Sequence, residues 1–497
     1  MLSSVNSLLL DGLEGRPVTV RVDVRRGRPA FAIPGLPEAA VAKTRERLRA
    51  ALLDSGYEFP SADVVVDVTP LGARPEAGAL DLAIAAALLS ASGQLDWPGI
   101  EGAALVGGLA ADGRVRPVDG ALAIAEGARE VGITTLVAPV ANGPEAALVR
   151  AVEVLPIEGL SDLRAFGWGY PPPHALPLKL PVARAGGPDL ADLRGRVHLQ
   201  YPLEVAVAGG HGLLLVGPRG SGRSMLASRL PSILPELKQA EALDIVRIAG
   251  ATGSHRAPTT PGRPFRAPHH TISVPGLLGG GSPPRPGEVT MAHRGVLLLE
   301  DLDRFRRETI EALHPVLAAG EVTIESSGVR RRLPSAFQLV AASDPCPCGG
   351  YPGDCVCAPF ERARFRARMT RGLGGHLPIR VEVDPPAGDA SDGWGWQGSA
   401  VARMRVEHAR WRMEARLGAG RTNAQMTSEE VRRVPLTSGA VRTLAAHQAR
   451  RSIHRRAPEQ AIRVAATVAD LSEMRRLEYV GEEAMRLAVG LLGDGRS

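Results

Sequence analysis

The segment GPRGSGRS, Gly217 to Ser224, follows the apolar run HGLLLVG and leads into MLASRL. This is the spacing of a phosphate loop, G-x-x-x-x-G-[K]-[ST], in the strand-loop-helix setting that the motif requires. Along Gly217, Pro218, Arg219, Gly220, Ser221 and Gly222 the glycines let the backbone N–H groups, which every residue but Pro218 has, converge on phosphate oxygens, and the start of a helix adds partial positive charge. Ser224 is the expected Mg²⁺ ligand, and Arg223 stands where the motif has lysine. Arginine keeps the charge, but its guanidinium is a wide planar fork in a loop built around a compact ammonium. A second constellation is sulfur-based. All four cysteines, Cys346, Cys348, Cys355 and Cys357, fall within twelve residues. Clustering of this kind suits a metal site better than a disulfide scaffold, which spreads its cysteines to close loops. Four thiolates suffice for a tetrahedral structural Zn²⁺, while the tight C-x-C spacing keeps free structural thiols and disulfides open as alternatives.

The run GVLLLED ends in Glu300 and Asp301, where P-loop ATPases hold an acidic Mg²⁺ partner and a neighbouring carboxylate that activates water. A third run ends FQLVAASDPCPCGG, and its Asp344 lies where an AAA+ ATPase places a polar residue that senses the γ-phosphate. Read this way, Glu300, Asp301 and Asp344 are the candidate catalytic residues, and Ser224 and Glu300 the candidate Mg²⁺ ligands.

These residues need a doubly wound parallel sheet to hold them, and HGLLLVG, GVLLLED and FQLVAAS, each followed by loop or helix, fit one. The 497-residue length predicts about three domains. Pro/Gly-rich breaks divide the chain into 1–170, a linker 171–194, a core 195–385, a linker 386–396, and 397–497. The first piece mixes β-like runs (VTVRVDV, DVVVDVTP) with helical patterns, so an α+β or α/β domain is expected. The last is nearly strand-free, Arg-rich and helical in its spacing, a helical bundle. The net charge of +6 is unevenly divided: residues 397–497 carry 18 Arg against 11 acidic residues, which leaves 1–396 at −1. Any DNA contact through phosphates is therefore expected in the bundle, where QARRSIHRR groups Arg450, Arg451, Arg455 and Arg456; a solvated basic face is the alternative. Only three of the 59 basic residues are lysine, a compositional bias that by itself excuses a lone Lys-to-Arg change. No stretch approaches the ~20 apolar residues of a membrane span, and the N-terminal apolar patch has no Lys or Arg ahead of it. A cytoplasmic protein is expected.

Longer strings carry a family resemblance. RPFRAPHHTIS, LLGGGSPPRPGEVTMAHRGVLLLEDL and QLVAASDPCPCGGYPGDCVC resemble the magnesium-chelatase-like AAA+ ATPases of the competence protein ComM/YifB family. PGLPEAAVAKTRERLRAALLDSG, ALDLAIAAALLSASGQL and DGRVRPVDGALAIA resemble that family's Lon-protease-like N-terminal domain, and IRVAATVADL its C-terminal helical domain. The resemblance implies a homo-oligomeric, usually hexameric ring that couples ATP hydrolysis to remodelling of branched DNA in recombination and transformation. It implies ATP and Mg²⁺ as cofactors, and it adds Arg463 to the nucleotide-binding residues.

The chain also departs from the family pattern. Glu300 and Asp301 stand in swapped order, Asp344 replaces a sensor Asn, Gly375 and His376 occupy the place of an Asp-Arg pair that supplies a trans-acting arginine, and Ala466 replaces another Arg. A trans-acting arginine alone is typically worth ~10³ to 10⁵ in rate. Nucleotide binding with impaired hydrolysis is therefore expected. The alternative is a degenerate, non-hydrolysing structural or regulatory subunit that partners an active paralogue. Proteolysis is not expected, since Glu76 and Ala77 stand near the usual nucleophile and GALAIAEGA has no lysine. His269 and His270 suit a pore or subunit contact, and Arg263 and Arg266 either contact DNA phosphates or are merely solvated.

Overall fold

The structure, a computed structural model, describes residues 1–70, 78–96, 102–167, 174–177, 187–253, 262–281, 284–326, 329–350, 355–373, 375–384, 395–450, 457–472 and 479–492. The chain forms two compact units, Met1–Pro181 with Gln239–Pro261, and Val182–Lys238 with Gly262–Ser497.

The first unit is built on a seven-stranded mixed sheet, in the order Ala30–Ala32, Asp63–Thr69, Glu14–Arg25, Leu2–Asp11, Ala104–Leu105, Thr135–Pro139, Glu153–Ile157. Leu2–Asp11 and Glu14–Arg25 form a long antiparallel hairpin in register from Leu2↔Asp23 to Asp11↔Glu14, turned by Gly12 at φ 67°. The helix Asp81–Ala91 is apolar all round and buried on nearly every face, as expected of a helix sandwiched in a core. Its one charge, Asp81, is bound by Arg47, with NH2 2.9 Å from Oδ1. The helix Gln239–Ala251 also belongs here, because Arg247 grips Glu126 through two 2.8 Å hydrogen bonds. Residues 239–253, counted within the central core on the sequence, thus pack with the N-terminal residues.

The second unit holds a five-stranded sheet, all parallel, in the order Phe265–Arg266, Val296–Leu299, Gln338–Ser343, Leu213–Val216, Ile379–Glu382. The middle strands are apolar but for Gln338 and Ser343 (LLLV, VLLL, QLVAAS) and buried throughout, as strands covered on both faces must be. After Asp384 the described chain is helical: Ser399–Leu417, Ser428–Arg432, Ser438–Arg450, Ala457–Leu471 and Glu482–Leu491. These helices do not close a core of their own. Val406, Ala409, Val464 and Ala488 share one apolar cluster with Leu213, Leu298 and Val340 of the sheet. Bidentate pairs lock the arrangement. Arg405 binds Glu204, and Arg416 binds Asp470, which is 1% exposed and also accepts from Asn423. Among the described residues no helix is long and apolar enough to cross a membrane.

Candidate nucleotide site and cysteine cluster

The phosphate loop sits at the C-terminal edge of two central strands. Leu213–Val216 and Gln338–Ser343 run in register to Val216↔Ser343, and the Gly217 N–H donates to the Ser343 carbonyl at 3.2 Å. In open parallel sheets that edge is where ligands bind. Two glycines are required there for different reasons. A Cβ on Gly217 would strike the Val383 carbonyl and stand 2.7 Å from Ser221 Oγ. Gly222 has φ 87°, a left-handed conformation in which other residues are strained. Arg196, itself at φ 54°, holds the loop from outside by donating to the Ser221 carbonyl and, at 2.7 Å, to the Asp384 carbonyl. The helix that follows is short, Arg223–Ala227, because the next one restarts at Leu230 with Pro231 in its first turn. The helix dipole invoked on sequence grounds is correspondingly small, and the loop amides and side chains carry the anion-binding potential.

Arg223 is nine-tenths buried, and its NH2 donates to Asp344 Oδ1 at 2.9 Å. Arg219, largely exposed, approaches Asp344 Oδ2 at 3.6 Å. Arg223 NH1 and Ser221 Oγ are buried with no hydrogen-bond partner, so two donors remain for an anion. Ser224 is exposed at the loop's end, as a metal-ligating hydroxyl must be. Glu300 and Asp301 follow Leu299, half-buried, where Asp301 takes φ 51° and pairs with Arg304 at 3.5 Å.

One acid escaped the sequence reading. Asp303 lies two residues beyond Asp301, and its Oδ1 is buried without a partner. Burial, then the nearby charges of Asp344 and Asp301, push its carboxyl above the usual range. The spacing E-D-x-D was the available signal. Arg196 was missed too, since nothing in RGRVHL marks a residue that clamps a loop 25 positions on.

Other residues singled out on the sequence fall outside this cluster. Arg463 donates to the Met426 carbonyl at 2.9 and 3.1 Å and pairs with Glu459 at 3.2 Å. Arg266 is taken by Glu288 at 2.6 and 2.7 Å, and Arg263 by the carbonyls of Pro235 and Arg294, so neither is a solvated side chain waiting for DNA. His269 and His270 stack on one another, ring centres 4.1 Å apart. The side chains of Arg450, Arg451, Arg455 and Arg456 lie outside the described residues, as do Glu76 and Ala77. The first unit has a cavity of about 240 Å³ at the Arg47–Asp81 pair; its lining includes Gly78, Gly108, Arg116 and Asp119, and among the described lining residues there is no Ser, Thr, Cys or Lys.

The four cysteine Sγ atoms lie within 4.8 Å of one another. Cys346 is 3.2 Å from Cys348 and 3.3 Å from Cys355, and Cys348 is 3.7 Å from Cys355. Tetrahedral Zn²⁺ with Zn–S near 2.3 Å needs sulfurs about 3.8 Å apart, so the donor set fits that ion with small adjustments. Hydrogen bonds from Cys346 and from the Gly350 N–H pull the Cys348 thiol down to about 6, whereas burial pushes Cys346 up. The cluster begins two residues after Asp344, and a Cβ on Gly349 of its turn would come into contact with that carboxylate.

A phosphate loop beside an acidic strand end, on a parallel sheet with helices following, defines an AAA+-like, magnesium-chelatase-like protein. Family models agree along the chain: magnesium chelatase, subunit ChlI, at residues 189–390, subunit ChlI of Mg-chelatase at 20–142, and the subunit ChlI C-terminal part at 397–489. The chain is 35% identical to the uncharacterized protein YifB of Escherichia coli over 480 residues, 95% of this chain and 94% of that one. It is 34% identical to the uncharacterized protein Rv2897c of Mycobacterium tuberculosis over 94% of each, and 32% identical to competence protein ComM of Haemophilus influenzae over 87% and 86%. The chain belongs to the magnesium-chelatase-like ComM/YifB family.

Proposed function

We propose that the chain is an AAA+-type nucleotide-binding protein that acts on DNA, with hydrolysis impaired relative to an intact site. The observation that carries this reading is the Arg223–Asp344 pair. The loop's cation is built into the sheet edge beside two unpartnered donors, Arg223 NH1 and Ser221 Oγ, a setting suited to phosphate. The same cation is already neutralised by a carboxylate, a setting poor for stabilising charge that develops on a transferring phosphoryl group. In this reading the loop from Gly217 to Gly222 and Arg223 would hold the phosphates, and Ser224 and Glu300 would hold Mg²⁺, which when bound supplies charge neutralisation. Asp301 would orient water from a side chain one methylene short, and Arg463 would reach the nucleotide only by leaving the Met426 carbonyl and Glu459. Cys346, Cys348, Cys355 and Cys357 hold a structural Zn²⁺; with four protein ligands no position is left for chemistry.

The competence name of one relative and the basic 397–497 segment support association with branched DNA in recombination or transformation, inside the cytoplasm, as a homo-oligomeric ring. In this division, 1–170 is a Lon-like, non-proteolytic interaction domain and 397–497 a helical lid. The residue types Glu76 and Ala77 near the usual nucleophile and the absence of lysine from GALAIAEGA support the non-proteolytic role. A second reading, favoured by the Arg223–Asp344 contact itself, is a non-hydrolysing subunit that regulates an active paralogue in a mixed ring. ATPase assays on the purified chain, with and without branched DNA, separate the two. Slow turnover abolished by Ser224→Ala supports the motor, and nucleotide binding with no turnover supports the regulatory subunit. Absence of both binding and turnover would sink the nucleotide site.

A further inference from the structure

The phosphate loop's partner at the sheet edge points to its preferred ligand. In a loop of this type the backbone amides cradle the α- and β-phosphates, while the cation at position Arg223 reaches the β- and γ-phosphates. Here only one arm of that cation, NH1, is without a partner. Its NH2 is held 2.9 Å from Asp344 Oδ1 in a pocket where both side chains are nine-tenths buried. Arg219, the loop's other cation, also turns to Asp344. Both guanidinium contacts are made at the strand end: Val216↔Ser343 is the last pair in register, the Gly217 N–H donates to the Ser343 carbonyl, and Asp344 follows directly, its backbone carbonyl accepting from Ser343 Oγ at 3.0 Å. The amides and the orphan donor Ser221 Oγ are untouched by this arrangement.

We propose that Asp344 is a specificity determinant that makes the phosphate loop hold a nucleoside diphosphate in preference to a triphosphate. The inference rests on the nucleotide-site reading above. A buried carboxylate on the loop cation stands in for the terminal phosphate. A diphosphate leaves that ion pair intact, whereas a triphosphate brings further negative charge against Asp344 or has to break the pair. Like charges a few ångströms apart in a partly buried site repel strongly enough to change affinity by about tenfold or more.

The test is isothermal titration of the full-length chain with ADP and with the β,γ-imido analogue of ATP, each with and without Mg²⁺, on the wild type and on Asp344→Asn. Wild type is expected to bind ADP at least about tenfold more tightly than the analogue, and the near-isosteric Asp344→Asn to shrink that ratio by about tenfold, chiefly by gaining affinity for the analogue. The wild-type ratio needs no variant to fold. Equal or tighter binding of the analogue by wild type overturns the proposal while leaving the nucleotide site standing, and so does an unchanged ratio in a folded Asp344→Asn protein. Failure of both proteins to bind either nucleotide overturns the nucleotide-site reading, and this proposal with it.

Discussion

A guanidinium and an ammonium differ in what they can be paired with. Lysine at position 223 would present a compact charge on a mobile stem, easily handed to a phosphate, whereas Arg223 presents a fork whose arms can be shared. One arm is on Asp344 and the other is unsatisfied. Two of the departures that sequence comparison treats as separate defects, Arg for Lys and Asp for Asn, therefore form a single ion pair. Arg223→Ala should leave Asp344 as a buried, uncompensated carboxylate and lower thermal stability by about 3 kcal/mol, as well as weakening nucleotide binding. The Arg223→Ala/Asp344→Ala double variant should recover most of the stability but not the binding; differential scanning fluorimetry and titration calorimetry measure the two. The cysteines make a residue-scale prediction of their own. The purified chain should carry about one zinc per molecule by elemental analysis, and Cys348→Ser should lower it. A metal content untouched by that change would argue for free thiols.

Elements position these groups, and elements were the more legible part of the sequence. The runs LLLV, VLLL and QLVAAS are short, largely apolar and punctuated by turns, so their burial in a parallel sheet could be read directly, and with it the loop and the Glu300–Asp301 end. Spatial order was not legible, because nothing local states that Gln338–Ser343 lies next to Leu213–Val216. That adjacency is what brings Asp344 onto Arg223. The packing of the helix Gln239–Ala251 was not legible for a similar reason: Arg247 in it meets Glu126, a partner 121 positions away. Helix packing also yields a pH dependence. His211 is fully buried between elements with its Nε2 2.8 Å from Thr467 Oγ1, and burial, then Arg410 and Arg463, hold it neutral with a pKa down to about 3. The unfolded chain binds that proton below its ordinary value of 6.5, so the contribution is fully present above 6.5 and is lost as the pH falls toward 3. Stability of the second unit should decline by up to about 1.4 kcal/mol per pH unit between roughly pH 6 and pH 5. His211→Gln should flatten that slope in urea titrations; an unchanged slope would assign it to other groups.

At the scale of the whole molecule, the family relationship spans nearly the full chain and fixes an AAA+-like framework, while the site chemistry sets what the framework can do. Binding to DNA, if carried by the arginine-rich 397–497 segment, should be independent of sequence and weaken steeply with salt, falling ~10³-fold or more between about 50 and 200 mM if six or more phosphates are neutralised. Fluorescence anisotropy with a four-way junction would register it, and affinity insensitive to salt would remove the segment from consideration. The site is expected to hold nucleotide and scarcely consume it. Equilibrium dialysis of labelled ATP against the purified chain, with the nucleotides on both sides separated at the end, tests this most directly. The expected result is a saturable excess of nucleotide on the protein side, approaching one per chain, with most of the label still triphosphate after an hour. No excess on the protein side, or conversion to diphosphate at the ~1 s⁻¹ or faster of an efficient phosphoryl-transfer enzyme, would contradict it.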